Sequence, residues 1–194
     1  DKGFKICSDA MQVHGGSGFT EHFPASQYLR DCRISMIYEG TNGVQALALV
    51  GRKLAANGGR AVMSFFNEVD AFIAAEEANT DLKPFLDALA DAKADLNDGT
   101  MWLMQNGLMN PDNAGAASTD YMHLFGVTGL AYMWALMAKA ALVQIAAGDT
   151  DPFYANKLAA GRYFIARVIP DAKAHLAKLK TGSEVLMGLP AEAF

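Results

Sequence analysis

The segment "LFGVTGLAYMWALMAKAALVQIAAG" (residues 124–148) is the most informative about the fold, because it is long, apolar and rich in small residues that permit close helix packing. Its length and apolar character would also suit a membrane span. However, Lys139 lies inside it, and the neighbouring segments have polar and apolar faces at helical spacing. We therefore predict that it is the central helix of a soluble helical bundle and that the chain has no membrane span.

Helical periodicity extends to both sides of this segment. Apolar residues recur every three or four positions in four long stretches, at about 60–79, 82–108, 119–147 and 152–180. Residues 110–118 ("NPDNAGAAS") are predicted to form a loop between the second and third stretches. Pro170 lies inside the fourth stretch and is expected to kink or break it. The predicted fold class is all-α, with an up-down bundle of about four long helices.

The first 59 residues have a different organisation, with shorter helices separated by glycine-rich turns. A helix is predicted over residues 2–14, another is expected to start at Pro24, and Thr41 is a suitable N-cap for a third. After residue 59 the composition shifts to Ala, Met and Phe. We therefore predict two domains, residues 1–59 and residues 60–194, of which the second is the helical bundle.

The composition excludes several classes of function. The chain is 52% hydrophobic and 19% charged, with a net charge of -5 and no basic run, so a nucleic-acid-binding role is not expected. The four histidines lack the spacing of metal ligands, and we expect no metal site. One helix face carries a row of acidic residues that we expect to be solvated: Asp87, Asp91, Asp95 and Asp98.

The two cysteines, Cys7 and Cys32, have no C-x-x-C spacing. A disulfide framework or a zinc site is therefore not expected, and the cysteine content is typical of a reducing, intracellular compartment. The opening sequence "DKGFK" lacks the apolar core of a signal peptide. The expected location is cytoplasmic.

Two clusters in the first 59 residues do not fit bundle packing: "QVHGGSGFT" (residues 12–20) and "IYEGTNG" (residues 37–43). A glycine-rich turn after a helix lets a phosphate-bearing cofactor approach the backbone closely. Thr41 at a helix start adds backbone N–H groups and the positive end of a helix dipole. Either cluster alone is also compatible with an ordinary turn.

Together, in this order and spacing, the two clusters resemble one family, the acyl-CoA dehydrogenases. The sequence "AMQVHGGSGFTEHFPASQYLRDCRISMIYEGTNGVQALALVGRKL" (residues 10–54) is similar to the last part of the C-terminal catalytic helical domain of that family. Residues 60–194, including the closing "GLPAEAF", resemble an extra C-terminal helical domain that a longer-chain-length branch of the family carries.

The resemblance implies specific roles for the residues of both clusters. FAD would be contacted by Gln12, Val13, His14, Gly15 and Gly16 and by Thr41, Asn42 and Gly43. Glu39 would be the catalytic base, while Tyr38 and Gly40 would contact the substrate. This chain departs from many relatives by having Asn42-Gly43 in place of Ser-Glu, which changes the side chains available to the flavin.

The implied reaction is the α,β-dehydrogenation of an acyl-CoA thioester to trans-2-enoyl-CoA. It needs a base for the weakly acidic α-proton, hydrogen-bond donors for the thioester oxygen, and a flavin to accept the hydride. Apolar neighbours such as Ile37 and Tyr38 would make the Glu39 carboxylate a stronger base, and glycine at position 40 would let the substrate approach.

The resemblance also implies partners and leaves two alternatives open. The expected electron acceptor is an electron-transferring flavoprotein, and the full-length enzyme is expected to be a homodimer or homotetramer. The fragment alone is expected to be colourless and inactive. An acyl-CoA oxidase would use the same base with different oxygen access, and residues 60–194 could instead serve as a helical interaction or oligomerisation module.

Overall fold

The computed structural model of the protein describes residues 1–193, and these contain no strand. The helices are α1 (Lys2–Val13), α2 (Gly16–Phe19), α3 (Ala25–Ile34), α4 (Asn42–Ala48), α5 (Arg60–Glu76), α6 (Lys83–Asn106), α7 (Pro111–Ala146), α8 (Pro152–Arg167) and α9 (Asp171–Leu179). A π-helical turn, Leu49–Lys53, continues α4, and short 3-10 turns occur at Ala56–Gly59 and Ala191–Ala193. The predicted all-α class is confirmed.

The chain divides into two compact units, Asp1–Gln45 and the part that begins at Ala46. We call these the first and the second unit. The predicted domain division into residues 1–59 and 60–194 stays a prediction.

In the first unit, α1 packs against α2 and α3, and a glycine fixes the closest approach. Gly18 is buried, and a Cβ atom at this position would lie 2.4 Å from the carbonyl oxygen of Met11 and 2.8 Å from Cβ of His14. Any larger residue at 18 would therefore force α2 away from the end of α1. The His14 ring stacks on Phe23, with ring centroids 4.9 Å apart.

In the second unit, α7 is the central helix and packs against α6, α8 and α9. Its start corrects one prediction, because residues 111–118 are helical and do not form a loop. The side chain of Asn110 accepts a hydrogen bond from the Asp112 N–H at 3.0 Å, and Pro111 occupies the first helical position. A capping signal was present in "NPD", and the small residues that follow it do not prevent a helix.

The core of the second unit is built from large side chains that are fully enclosed, among them Tyr121, Phe85, Leu82, Leu89, Leu96 and Leu124. The Tyr121 hydroxyl and the Thr100 hydroxyl are 2.9 Å apart, and Thr100 donates to the carbonyl oxygen of Leu96. Every buried polar group of this pair is therefore satisfied. The break expected in the fourth stretch is confirmed, because Pro170 separates α8 from α9.

Helix α7 is long and apolar enough to cross a membrane by length and composition alone. Its Lys139 ammonium pairs with the Glu76 carboxylate at 2.5 Å and lies over the Phe72 ring. Packing against three other helices supports its role as a bundle core, and the absence of a membrane span stays a prediction.

In the acidic row on α6, Asp87, Asp91 and Asp98 are exposed, as expected, whereas Asp95 is half-buried. Asp87 pairs with Lys83 on the same helix, whereas Asp98 pairs with Lys180, which follows α9. Burial raises the pKa of the Asp95 carboxyl above its ordinary value. This face is therefore partly an interface between α6 and the segment around α9.

Candidate functional site

Glu39 lies at the end of the turn that follows α3, where the chain changes direction before α4. The Tyr38 N–H still donates to the Ile34 carbonyl oxygen, at 3.2 Å, in the manner of a continuing helix. At Glu39 the backbone then enters the left-handed region with φ +55°, and Gly40 follows with φ +89°. Glu39 is exposed at this reversal.

The left-handed conformation of Glu39 is a local strain. For a residue other than glycine or asparagine it costs about 1–2 kcal/mol, because Cβ approaches the following carbonyl oxygen. The Gln45 side-chain amide donates to the Glu39 carbonyl oxygen at 2.7 Å and holds this conformation. Among residues 1–193, the other non-glycine residue with positive φ is Asn57. Strain of this kind is concentrated at functional sites.

Helix α4 begins directly after this turn. The Val44 N–H donates to Thr41 Oγ1 at 3.4 Å, which confirms Thr41 as the N-cap. The Asn42 amide donates to Asp1 Oδ1 at 2.7 Å, so that side chain is already engaged. Gly43 lies in the first turn of α4 and has no side chain to cover the backbone.

The glycine cluster lines a cavity in the first unit. The cavity has a volume of about 400 Å³ and is lined by Ser8, Met11, Gln12, Gly15, Gly16, Phe19 and Leu29. Gly15 has φ +60°, and a Cβ atom added at Gly15 or Gly16 would meet nothing within 4 Å. The backbone at these two glycines is therefore open to a ligand, which is what close approach of a cofactor requires.

The predicted site residues fall into two groups that the structure treats differently. Gln12, Gly15 and Gly16 line the cavity, whereas Val13 is 86% exposed and His14 stacks on Phe23. Glu39, Gly40 and the Thr41–Gly43 segment form the strained turn and the start of α4. Tyr38, which was expected to line a pocket, is 55% exposed in this chain.

Sequence reasoning missed two residues that shape these groups. Gln45 supports Glu39 through a side-chain contact six residues away, a spacing with no periodic signature. A glycine is required at position 18 by its contact with Met11. The three glycines in "HGGSGF" were a general signal that two backbone segments approach each other closely here. The pairing of Cys7 with Cys32 was also missed, because nothing in their spacing predicts it.

Comparison with known proteins gives matches along the whole chain. The profile described as "Acyl-CoA dehydrogenase, C-terminal domain" matches residues 2–54, and the profile "Acetyl-CoA dehydrogenase C-terminal like" matches residues 65–190. The second match alone covers more than half of the chain.

Similar curated proteins agree with these profiles. A 3-methylmercaptopropionyl-CoA dehydrogenase of Ruegeria pomeroyi is 31% identical over 96% of this chain and 32% of its own length. A broad-specificity linear acyl-CoA dehydrogenase of Mycobacterium tuberculosis is 27% identical over 100% of the chain and 33% of its own length. A butyryl-CoA dehydrogenase of Syntrophomonas wolfei is 26% identical over 100% of this chain and 32% of its own length. The chain therefore spans about a third of the length of these relatives.

The resemblance seen in the two glycine-containing clusters thus extends to both units. Both profiles describe C-terminal regions, and the all-α architecture agrees with them. The chain belongs to the acyl-CoA dehydrogenase family and corresponds to the C-terminal part of its members.

Proposed function

We propose that the enzyme containing this chain oxidises an acyl-CoA thioester to trans-2-enoyl-CoA, with Glu39 as the base that removes the α-proton. The observation that carries this proposal is the strained, exposed Glu39 next to Gly40. Gln45 holds the backbone of Glu39 in its left-handed conformation and so fixes the point from which the side chain extends, and a base must be positioned before it can be effective.

The residues around Glu39 have complementary tasks in this proposal. A Glu39 carboxylate oxygen accepts the α-proton, while the Glu39 backbone N–H donates to the thioester oxygen, where charge develops. Gly40, with φ +89° and no side chain, lets the thioester pass close to the backbone. Tyr38 lies beside the thioester, where its exposed ring excludes water once substrate is bound.

FAD is the proposed cofactor, and it accepts the hydride from the β-carbon when bound. The fit rests on Gly15 and Gly16, whose backbone is open towards the 400 Å³ cavity, together with the Gln12 amide. Val13 and His14 are proposed to contact FAD from their exposed positions at the end of α1.

The second group of FAD contacts is proposed to come from Thr41, Asn42 and Gly43. Since the Asn42 side chain is bonded to Asp1, its contact with FAD is assigned to the backbone. FAD contacts through the backbone do not need the Ser and Glu side chains that many relatives have at these two positions, and Gly43 can offer backbone groups only. The remaining parts of the enzyme would supply most of the flavin pocket, since this chain is about a third of its relatives' length.

Three further assignments belong to the same proposal. An electron-transferring flavoprotein reoxidises the flavin, the full-length enzyme is a homodimer or homotetramer, and it works in the cytoplasm. The proposed assembly is supported by exposed apolar side chains near the end of the second unit, among them Val185, Leu186 and Met187, which could pack against another protein surface.

The test is a Glu39→Gln variant of the full-length enzyme. Glutamine keeps the size and hydrogen-bonding capacity of the side chain but removes its basicity. FAD content and acyl-CoA affinity should be retained, whereas the rate of flavin reduction should fall by the ~10²–10⁴-fold expected of a positioned general base. Rapid mixing with a good substrate and recording of flavin bleaching measures this rate at matched FAD occupancy.

Glu21→Gln is the matched control, because Glu21 is an exposed carboxylate of the same unit whose contact is a 3.9 Å pair with Arg30. It should reduce its flavin at the wild-type rate. A Glu39→Gln rate within about tenfold of wild type, equal to about 1.4 kcal/mol of barrier, would remove Glu39 from this role.

A further inference from the structure

The two cysteines of the chain, 25 residues apart in sequence, are neighbours in the first unit. Cys7 lies on α1 and Cys32 on α3, and their Sγ atoms are 3.6 Å apart. Both are free thiols and both are half-buried. Since the sequence contains no other cysteine, each of the two has one possible partner within the chain.

The two sulfur atoms are within reach of a covalent bond. A disulfide requires an Sγ–Sγ distance of about 2.05 Å, so rotation of the two side chains must close roughly 1.5 Å. Gly3 lies one helical turn before Cys7 on α1, and even a Cβ atom added there would make only an ordinary contact with Cys32 Sγ, at 3.7 Å. Position 3 therefore does not crowd the pair.

We propose that Cys7 and Cys32 form a reversible disulfide that ties α1 to α3 when the protein meets a peroxide. In the first step one of the two cysteines, as its thiolate, attacks the peroxide, gains one oxygen to become a sulfenic acid, and releases water or an alcohol. In the second step the sulfur of the other cysteine attacks the sulfenic sulfur, the S–S bond forms, and water leaves. The two thiols lose two electrons, and the peroxide is reduced by two electrons.

The contact also changes the chemistry of Cys7, because the side-chain hydrogen bond with Cys32 and burial both raise the pKa of its thiol. Since the two sulfur atoms are neighbours, whichever cysteine reacts with the peroxide first has the other beside it as the resolving partner. In a reducing compartment a disulfide of this kind is transient, and thiol reductants restore the pair.

The link would act on the cavity beside it. Ser8, which follows Cys7 directly, lines the cavity from α1, and Leu29, one helical turn before Cys32, lines it from α3. A bond between the cysteines therefore fixes the distance between the two walls. An effect on FAD rests on the function proposed above, whereas the disulfide itself does not.

The experiment uses the full chain, reduced and then exposed to hydrogen peroxide. Samples are alkylated at intervals, digested and analysed by mass spectrometry. We expect both thiols to be lost together and one cross-linked peptide pair to appear that joins residues 7 and 32, with the mass of two hydrogens removed. No disulfide-linked dimer should form, and dithiothreitol should restore both thiols.

The single variants Cys7→Ser and Cys32→Ser are matched controls that retain the size of the side chain. Each variant should accumulate the sulfenic acid at its remaining cysteine, which a sulfenic-acid-specific reagent traps, and neither variant should give an internal cross-link. Independent loss of the two thiols in the wild type, or disulfides formed only between chains, would overturn the proposal.

The effect on the cavity is measured separately in the full-length enzyme that contains this chain. The rate of FAD release is compared for the oxidised and the reduced wild type, with the Cys7→Ser variant treated in parallel. A change confined to the oxidised wild type supports control of the cavity. An unchanged rate in enzyme that carries the 7–32 disulfide overturns that control, whatever the outcome for Glu39.

Discussion

The two units of this chain differ in what their residues are used for. In residues 1–45, all of which the structure describes, the buried positions are Gly18, Ala25 and Ser26. The second unit instead encloses large side chains such as Tyr121 and Phe85. Small buried residues contribute little hydrophobic free energy, whereas each fully buried large side chain contributes about 1.5–3 kcal/mol. Stability is therefore concentrated in the second unit.

Backbone conformation shows the same difference. In the described part of each unit one non-glycine residue lies in the left-handed region, Glu39 in the first and Asn57 in the second. Asn57 is followed by Gly58 and Gly59 in an ordinary turn, and asparagine tolerates this conformation. Glutamate tolerates it less well, so among residues 1–193 this strain lies in the first unit, at Glu39. The first unit thus contains the strained turn, and the second contains the large buried side chains.

The largest expected effect compares one phenylalanine from each unit. Phe85 is 2% exposed, and Phe85→Ala should lower the free energy of unfolding by about 3–5 kcal/mol, because it leaves a cavity in the core. Phe19 is 79% exposed, and Phe19→Ala should change it by no more than about 0.5 kcal/mol. Urea unfolding of the two variants measures both values. Equal costs would break the comparison.

A second test uses glycines. Gly161 of α8 faces Phe85, and a Cβ atom there would lie 2.7 Å from Phe85 Cε1. Gly161→Ala should therefore destabilise the chain by about 1–3 kcal/mol through overpacking. Gly126 of α7 has open space around it, so Gly126→Ala should stabilise the helix by about 0.5–1 kcal/mol. Thermal melting measures the change in melting temperature for each variant. A change of the same sign in both variants would contradict the packing described.

A third test concerns the buried hydroxyl pair of Tyr121 and Thr100. Tyr121→Phe removes one hydrogen bond and should cost about 1 kcal/mol at neutral pH. Burial raises the pKa of Tyr121 from 10.0 to about 12, so the folded state keeps a proton that the unfolded state loses above pH 10. The stability from this group is complete below pH 10 and is lost as the pH rises to 12.

The measurement is urea unfolding at pH 8 and pH 11. Between these two pH values the free energy of unfolding of the wild type should fall by about 1.4 kcal/mol more than that of Tyr121→Phe, which corresponds to one pKa unit. Parallel pH profiles for the two proteins would show that the Tyr121 hydroxyl is not enclosed as described.

The smallest expected effect tests the strain at Glu39. Glu39→Gly relieves the left-handed conformation, a gain of about 1–2 kcal/mol, but glycine loses more chain entropy on folding. The net result should be a stabilisation of about 0.5 kcal/mol, with loss of flavin reduction in the full-length enzyme. Asn57→Gly should give a smaller change. Precise thermal melts compare the variants, and a destabilised Glu39→Gly would show that the turn is not strained.

Much of the fold could be predicted from the sequence, because long helices have a recognisable period in their apolar residues. The predicted positions of α5, α6 and α8 agree with the structure to within a few residues, and Pro170 interrupts the last stretch as expected. The start of α7 could not be located, since glycine and small polar residues in 110–118 are equally common in loops. The N-cap Asn110 and Pro111 start a helix there, although the composition of the segment is also typical of a loop.

The candidate site was predicted as a set of residues and not as an arrangement. A motif indicates that Glu39 and the glycine cluster matter, but the left-handed backbone of Glu39 and its bond from Gln45 depend on how α3 and α4 are joined. The Cys7–Cys32 contact likewise depends on the packing of α1 against α3. Such relations between distant positions carry no periodic signal, so the structure was needed to find them.

The most direct test of the central claim, that Glu39 takes the α-proton, separates proton removal from hydride transfer. The full-length enzyme, loaded with FAD, is mixed in D₂O with an acyl-CoA whose third chain position is sulfur, since such a thioester has no β-hydride to give. Exchange of the α-hydrogen is followed by mass spectrometry. Wild type and Glu21→Gln should exchange at the same rate, and Glu39→Gln should be slower by at least about 10²-fold. Exchange by Glu39→Gln within about tenfold of wild type would contradict the account.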